Sequence, residues 1–97
     1  MDEAVVKLDD GRYIALWFSD NPAYTENCDA CIGYNVYNKD RDMIDGGEMD
    51  YNSEEKNYQT IEDAIKDIIS FAIDSDLFSY EYNESISIDE FECGSVF

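Results

Sequence analysis

Residues 12–19 read RYIALWFS, and this stretch decides the fold that the sequence predicts. Successive side chains of a strand point to opposite faces of a sheet, and here both faces are apolar. One face carries Tyr13, Ala15 and Trp17, and the other carries Ile14, Leu16 and Phe18. A strand that is apolar on both faces is typical of the middle of a covered sheet. We therefore expect a central strand over residues 12–19.

Strands are also predicted on both sides of this segment. Residues 5–8 are apolar and β-prone, and the turn signal Asp9-Asp10-Gly11 that follows them predicts a hairpin with the central strand. After a polar loop over residues 19–30, residues 31–37 alternate between apolar and more polar side chains. That alternation is the pattern of a half-exposed strand.

A glycine pair interrupts the next predicted strand. Residues 38–41 are a polar turn, and residues 42–44 begin another paired strand. Asp45-Gly46-Gly47 is expected to break or bulge it, because glycine inside a strand often marks a bulge. Pairing is expected to resume over residues 48–51, before a charged connector over residues 52–57.

Residues 60–73 predict the clearest helix. Thr60 is the expected N-cap, and Asp63 three residues later resembles a capping box. Apolar residues recur at helical spacing and form a stripe suited to burial against a sheet. They are Ile61, Ala64, Ile65, Ile68, Ile69, Phe71 and Ala72.

The tail over residues 77–97 alternates in two places, around Tyr80 and around Ile88. One or two more short strands or irregular arms are expected there. The predicted fold class is α+β, with an antiparallel sheet of three to five strands and one amphipathic helix packed on it. At 97 residues the chain is expected to form one domain over residues 1–97.

The charge of the chain points to a class of partner. Twenty-four acidic and six basic residues give a formal net charge of −18, whereas solubility of a small domain needs a magnitude of about 2–8. Such a field favours cationic surfaces, and the commonest of these are built to hold nucleic acid. The six basic residues are dispersed, so direct binding of nucleic acid is not expected.

The sequence gives little support for an enzymatic activity. The chain has no His, the usual general acid–base at neutral pH, and no nucleophile-elbow, phosphate-loop or HExxH motif. Asn38, Asp40 and Asp42 begin like a calcium-binding EF-hand loop, but Met43 and Met49 stand where that loop needs Gly and Glu. We expect a protein that is not an enzyme and has no cofactor or metal, although a loose divalent-cation site is an alternative.

The three cysteines fit ordinary reduced thiols. Cys28 and Cys31 form a C-x-x-C pair, but a zinc site would need further ligands that the chain lacks, and Asp29 between them would raise thiol pKa values. The acidic N-terminus and the absence of an 18-residue apolar run lead us to expect a cytoplasmic protein.

The magnitude of the charge suggests mimicry of DNA. A domain of this length is roughly 30 Å across, and a duplex segment of that length carries roughly 18 phosphate charges. Acidic residues at strand and helix spacing would form charge-assisted hydrogen bonds with an Arg-rich groove, and neighbouring tyrosines would supply anchoring contacts. The alternative is a plain solvated surface. The candidate partner-binding residues are Asp40, Asp42, Asp45, Glu48, Asp50, Glu62, Asp63, Asp67, Asp74, Asp76, Tyr80, Glu81, Tyr82, Glu84, Asp89, Glu90 and Glu92.

A further indication comes from resemblance. YNVYNKD at residues 34–40, IDGGEMD at residues 44–50 and the helix opening TIEDAI at residues 60–65 resemble a small domain of large polyvalent proteins in phages and mobile elements of Firmicutes. The resemblance spans roughly residues 31–73 and implies a setting in which inhibitors of host defence are carried. Small acidic proteins of that setting look like anti-CRISPR or anti-restriction proteins.

Charge and resemblance together predict an inhibitor of a host defence nuclease. The expected partner is a basic nucleic-acid-binding protein, above all a CRISPR effector, whose groove the chain would occupy as a DNA mimic. The alternative is an acidic interaction module or immunity-type protein that binds a basic partner outside any nucleic-acid site.

Overall fold

The segment RYIALWFS lies in the middle strand of a five-stranded antiparallel sheet. The computed structural model describes residues 3–55, 58, 60–73, 79–83 and 87–94. The strands are β1 (Glu3–Leu8), β2 (Tyr13–Ser19), β3 (Ala30–Tyr37), β4 (Met43–Tyr51) and β5 (Tyr80–Asn83). Their order across the sheet is β4-β3-β2-β1-β5, which confirms that the doubly apolar strand is central.

One helix covers each face of the sheet. Helix α1 (Ile61–Ile68) continues into a π-helical turn (Ile69–Ile73). Thr60 caps α1, with its side chain and that of Asp63 forming the predicted capping box. The short helix α2 (Ile88–Glu92) lies on the opposite face. The predicted α+β class, an antiparallel sheet with an amphipathic helix packed on it, is therefore confirmed.

The two faces of β2 belong to two separate cores. Ile14 and Leu16 pack with the apolar stripe of α1, which the helical spacing of that stripe predicts. Tyr13 and Ala15 pack instead with Phe91 of α2, which is fully buried. The second core is small, so α2 is held by few side chains.

The glycine pair does not interrupt β4. The strand runs without a break through Gly46 and Gly47, so the predicted break at residues 45–47 is wrong. A bulge is present one residue earlier, at Ile44, because Val36 pairs with Asp45 and Tyr37 pairs with Met43. The irregularity in the β3–β4 ladder falls between Val36 and Tyr37, next to the turn. The two glycines are needed for close approach, because a Cβ at Gly47 would lie 2.9 Å from the hydroxyl oxygen of Tyr34.

The tail is half strand and half helix. The alternation around Tyr80 forms β5, as predicted, but the residues from Ile88 form α2 and not a strand. Ser87 caps this helix by accepting the backbone N–H of Glu90. The three-residue spacing of Ile88 and Phe91 then places both against the sheet. Leu77, Phe78, Ile86 and residues 95–97 lie outside the described residues.

Candidate protein-interaction surface

The β3–β4 turn and helix α2 meet at one corner of the molecule. The Asn38 carboxamide oxygen accepts the backbone N–H groups of Asp40 and Asp42, at 2.9 and 3.0 Å. The Asn38 side chain therefore stabilises the turn that connects β3 to β4. The Tyr37 hydroxyl at the start of the turn donates to Glu92 of α2, at 3.1 Å.

Seven of the predicted acidic residues share this corner and the adjoining part of β4. We call the set the acidic corner. It consists of Asp40 and Asp42 in the turn, Asp45 and Glu48 on β4, and Asp89, Glu90 and Glu92 on α2, all exposed. Within the set, Asp45 pairs with Val36 and projects on the α1 face, whereas Glu48 pairs with Gly33 and projects on the α2 face. Glu92 is engaged by Tyr37 and Asp45 accepts the N–H of Gly46, but both remain at the surface. The corner combines residues 40–48 with residues 89–92, which are distant in sequence.

Other predicted acidic residues are occupied within the fold. Asp50 accepts the backbone N–H groups of Ala23, Tyr24 and Thr25 at 2.7, 2.7 and 2.9 Å. Partial desolvation raises the pKa of Asp50, but the three N–H donors outweigh it and the net shift is downward. The carboxylate thus organises the 20–29 loop.

The acidic residues of α1 have structural partners as well. Asp63 completes the capping box of the helix. Glu62 accepts from the Tyr80 hydroxyl at 3.1 Å, and Asp67 accepts from the Tyr58 hydroxyl at 2.9 Å. These residues lie on the α1 face, whereas α2 lies on the other. Among the described residues, the predicted acidic residues are therefore distributed over both faces of the sheet.

The remaining candidates lie at the far edge of the sheet or outside the described residues. Tyr80, Glu81 and Tyr82 are on β5, which is separated from β4 by three strands. Tyr80 is partly buried against the α1 core, while Glu81 and Tyr82 are exposed. Asp74, Asp76 and Glu84 lie outside the described residues.

Both arginines are engaged within the molecule. Arg12 forms a salt bridge with Asp10, with 2.6 Å between Nη2 and Oδ2. The Cζ atom of Arg41 stands 5.1 Å from the Tyr13 ring centroid and 4.7 Å from that of Phe91. Arg41 is only partly buried and its partners are neutral, so it keeps its positive charge within the acidic corner, as does the exposed Lys39.

Exposed apolar side chains lie on and beside β4, which the sequence analysis did not predict. Met43 pairs with Tyr37 and lies on the α2 face, whereas Phe71 contacts Tyr34 and lies on the α1 face. Met43 and Ile44 on the strand are 63% and 55% exposed, and Phe71 beside it is 64% exposed. Phe71 contacts Tyr34 edge-on at 6.3 Å between ring centroids, and Tyr34 lies over Gly47. Exposed apolar side chains among charged ones are typical of protein-binding surfaces.

The cysteine thiols are all free. Desolvation, followed by the negative charge of Asp50 and Asp29, raises the pKa of Cys28. Desolvation together with Glu48 and Asp50 raises that of the buried Cys31. A raised pKa suppresses the thiolate that redox chemistry requires. Within the described ranges, no group of three or more His, Cys, Asp or Glu side chains could hold a metal ion.

Comparison of the chain with protein-family models, with curated proteins and with solved structures found no match. Among the described residues, no helix is long and apolar enough to cross a membrane. The functional conclusion therefore rests on the acidic corner and on the exposed apolar side chains on and beside β4.

Proposed function

We propose that the chain is an inhibitor from a phage or mobile element that binds the nucleic-acid groove of a host defence nuclease in the bacterial cytoplasm. A CRISPR effector is the first candidate partner. The chain would act by stoichiometric binding as a DNA mimic, and no catalytic step is involved. The observation that carries the proposal is the acidic corner, which exposes seven acidic side chains beside two basic residues, Lys39 and Arg41.

The dimensions of the molecule support the comparison with DNA. Its longest axis is 37 Å, and a duplex of that length carries about 22 phosphate charges. The net charge of −18 is of the same order. Because acidic residues also lie on α1 and β5, only part of this charge would face a groove at once. The acidic corner is the part we propose to enter it, since carboxylates form charge-assisted hydrogen bonds with arginine.

Two matched charge variants test the proposal. The corner variant carries Asp40→Asn, Asp42→Asn, Glu48→Gln and Asp89→Asn. The control carries Glu26→Gln, Glu54→Gln, Glu55→Gln and Glu81→Gln, four exposed residues outside the acidic corner. Each set removes four negative charges from −18, which leaves −14 in both. Inhibition of DNA cleavage by purified CRISPR effectors should fall strongly for the corner variant and little for the control.

Salt and DNA provide two further readouts. Affinity for the effector should fall steeply as salt rises, because the attraction between exposed charges is screened. Short duplex DNA should displace the chain from the effector. Affinity that is independent of salt, or equal loss of inhibition in both variants, would argue against mimicry.

The exposed apolar side chains Met43, Ile44 and Phe71 favour a second candidate function. An interaction module or immunity-type protein would bind a basic partner outside any nucleic-acid site and would use apolar contacts for much of its affinity. Duplex DNA should leave such a complex intact. Capture from a defence-carrying host followed by DNA competition therefore separates the two candidates.

A further inference from the structure

The outer edge of β4 is a long edge that no other described strand covers. β4 has nine residues and pairs on one side with β3, whereas the opposite edge of the sheet is the four-residue β5. An edge strand presents backbone N–H and C=O groups that can pair with another chain. Proteins that bind extended segments in this way add the segment to the sheet as a further strand.

Ladder alternation identifies the outward-facing groups of β4. In an antiparallel sheet, successive residues direct their N–H and C=O groups to opposite sides. The turn bond from the Asn38 N–H to the Asp42 carbonyl directs even-numbered residues of β3 toward β4. Their partners Asp45, Gly47 and Met49 then point inward. Gly46 and Glu48 point outward, and the Gly46 N–H accordingly bonds to the Asp45 carboxylate, at 2.8 Å.

The side chains along this edge differ between the two faces of the sheet. Glu48 is paired with Gly33 and lies on the α2 face, where it adds negative charge. On the α1 face, Gly47 lies under Tyr34, and the exposed Phe71 ring stands beside Tyr34. An incoming strand would meet the Glu48 carboxylate on one face, and aromatic carbon together with the Asp45 carboxylate on the other.

A second copy of this chain is a poor occupant of the edge. Two chains of −18 repel each other, and pairing two β4 edges would add the Asp45 carboxylates of both copies to one face and their Glu48 carboxylates to the other. Like charges directly opposite each other destabilise a strand pair. The charge of the edge therefore favours a positively charged occupant.

We propose that the β4 edge binds an extended basic segment of the partner by strand addition. Lys or Arg at alternate positions would face Glu48, and apolar residues between them would face Phe71. The inference rests on the proposed function only in taking the partner to be a basic protein. It adds a binding mode in which backbone hydrogen bonds, as well as charge, hold the complex.

Peptide probes test this without knowledge of the partner. The probe is an acetylated and amidated (Lys-Val)3 hexapeptide, and the control peptides are (Lys-Gly)3 and a (Lys-Val)3 with alternate amides N-methylated. The full chain should bind the probe with slowed hydrogen exchange at the Glu48 amide. Binding should weaken at least tenfold when the peptide amides are methylated, since more than one interstrand hydrogen bond is lost.

Two variants at one position separate backbone pairing from charge. Glu48→Gln keeps the outward N–H and should weaken probe binding about threefold, as expected for one exposed charge pair. Glu48→Pro also removes that N–H, which an edge strand tolerates, and should weaken binding at least tenfold. Equal affinities for the methylated and unmethylated peptides would overturn the proposal even if Glu48→Pro fails to fold.

The remaining outcomes are also decisive. Absence of probe binding, protection at a site other than β4, or salt-resistant dimers of the chain that are lost in Glu48→Pro would each overturn the proposal. If the chain inhibits an effector but the probe fails, strand addition is wrong and the proposed function stands. If the probe binds as expected and no basic partner is found, the proposed function is wrong and strand addition stands.

Discussion

The guanidinium of Arg41 lies over the ring of Phe91, with 4.7 Å between Cζ and the ring centroid. Its Nη1 also donates to the Phe91 carbonyl oxygen, at 3.1 Å. Arg41 has a φ of 67°, a left-handed conformation that costs a residue other than glycine about 1–2 kcal/mol. The contacts with Phe91 offset that cost. One side chain thus fastens α2 to the β3–β4 turn and assembles the acidic corner.

Replacement of Arg41 by alanine should loosen α2. The variant loses the cation–π contacts and one hydrogen bond but keeps the unfavourable φ, so we expect unfolding to become easier by about 1–2 kcal/mol. Urea denaturation measures this, and hydrogen exchange at the Phe91 amide should accelerate. Lys39→Ala, two residues away and exposed, should change stability by less than about 0.5 kcal/mol. Equal losses in the two variants would mean that Arg41 does not hold α2.

Asp50 should make stability depend on acid pH. Its pKa is lowered in the fold, so its carboxylate stabilises the folded state above the ordinary aspartate pKa of about 3.9. That stabilisation is lost as pH falls through the lowered value. Asp50→Asn should therefore be less stable than the natural chain at pH 7, and the difference between the two should shrink near pH 3.

The matched control for Asp50 is Asp20→Asn, an exposed carboxylate at the start of the same loop. Thermal unfolding at both pH values should differ little between this variant and the natural chain. A difference for Asp50→Asn that stays constant with pH would indicate that the three N–H groups do not depend on its charge.

Local patterns in the sequence were sufficient for the sheet and the main helix. The apolar alternation of β2 and the capping box at Thr60 both depend on residues that are close together in the sequence. The sequence predicts a short strand or an irregular arm around Ile88. Over a few residues, apolar alternation cannot be distinguished from a helix whose apolar contacts repeat every three residues. Only the buried position of Phe91 decides between them.

The candidate surface depended on information that a sequence lacks. Charge counts identified acidic residues but could not separate Asp50, which is bound by three N–H groups, from Glu48, which is exposed. The acidic corner requires that α2 fold back on the β3–β4 turn, which is a contact across about fifty residues. Helical spacing predicts Phe71 in the buried stripe, but its side chain is exposed. The reason is that the last turn is π-helical, so the spacing of residues around the helix changes there.

Gly33 should be intolerant of any side chain. It pairs with Trp17 across β2 and β3, and a Cβ at Gly33 would overlap the indole ring that lies on it. We expect Gly33→Ala to destabilise the fold by about 1–3 kcal/mol, as overpacking does, and to shift the Trp17 fluorescence. In a Trp17→Leu background the same substitution should be less damaging, because the two residues are in contact. Strict additivity in the double mutant would contradict the stacking.

Tyr80 should make stability fall in alkaline solution. Desolvation, and then the hydrogen bond to Glu62 and its charge, raise the pKa of the phenol to about 12. A raised pKa in the folded state means that the protonated phenol contributes stability below its unfolded pKa of about 10. This contribution is lost as pH rises from about 10 toward the folded value.

Tyr80→Phe should therefore flatten the decline of stability above about pH 10, measured by urea denaturation at stepped pH. Glu62→Gln should lower the Tyr80 pKa, because an amide still accepts the hydrogen bond but no longer repels a phenolate. Titration of the phenolate absorbance follows this directly. Tyr24→Phe, which removes an exposed tyrosine, is the control and should leave the alkaline decline unchanged. If stability declines as steeply in alkaline solution for Tyr80→Phe as for Tyr24→Phe, Tyr80 is not held by Glu62 in solution.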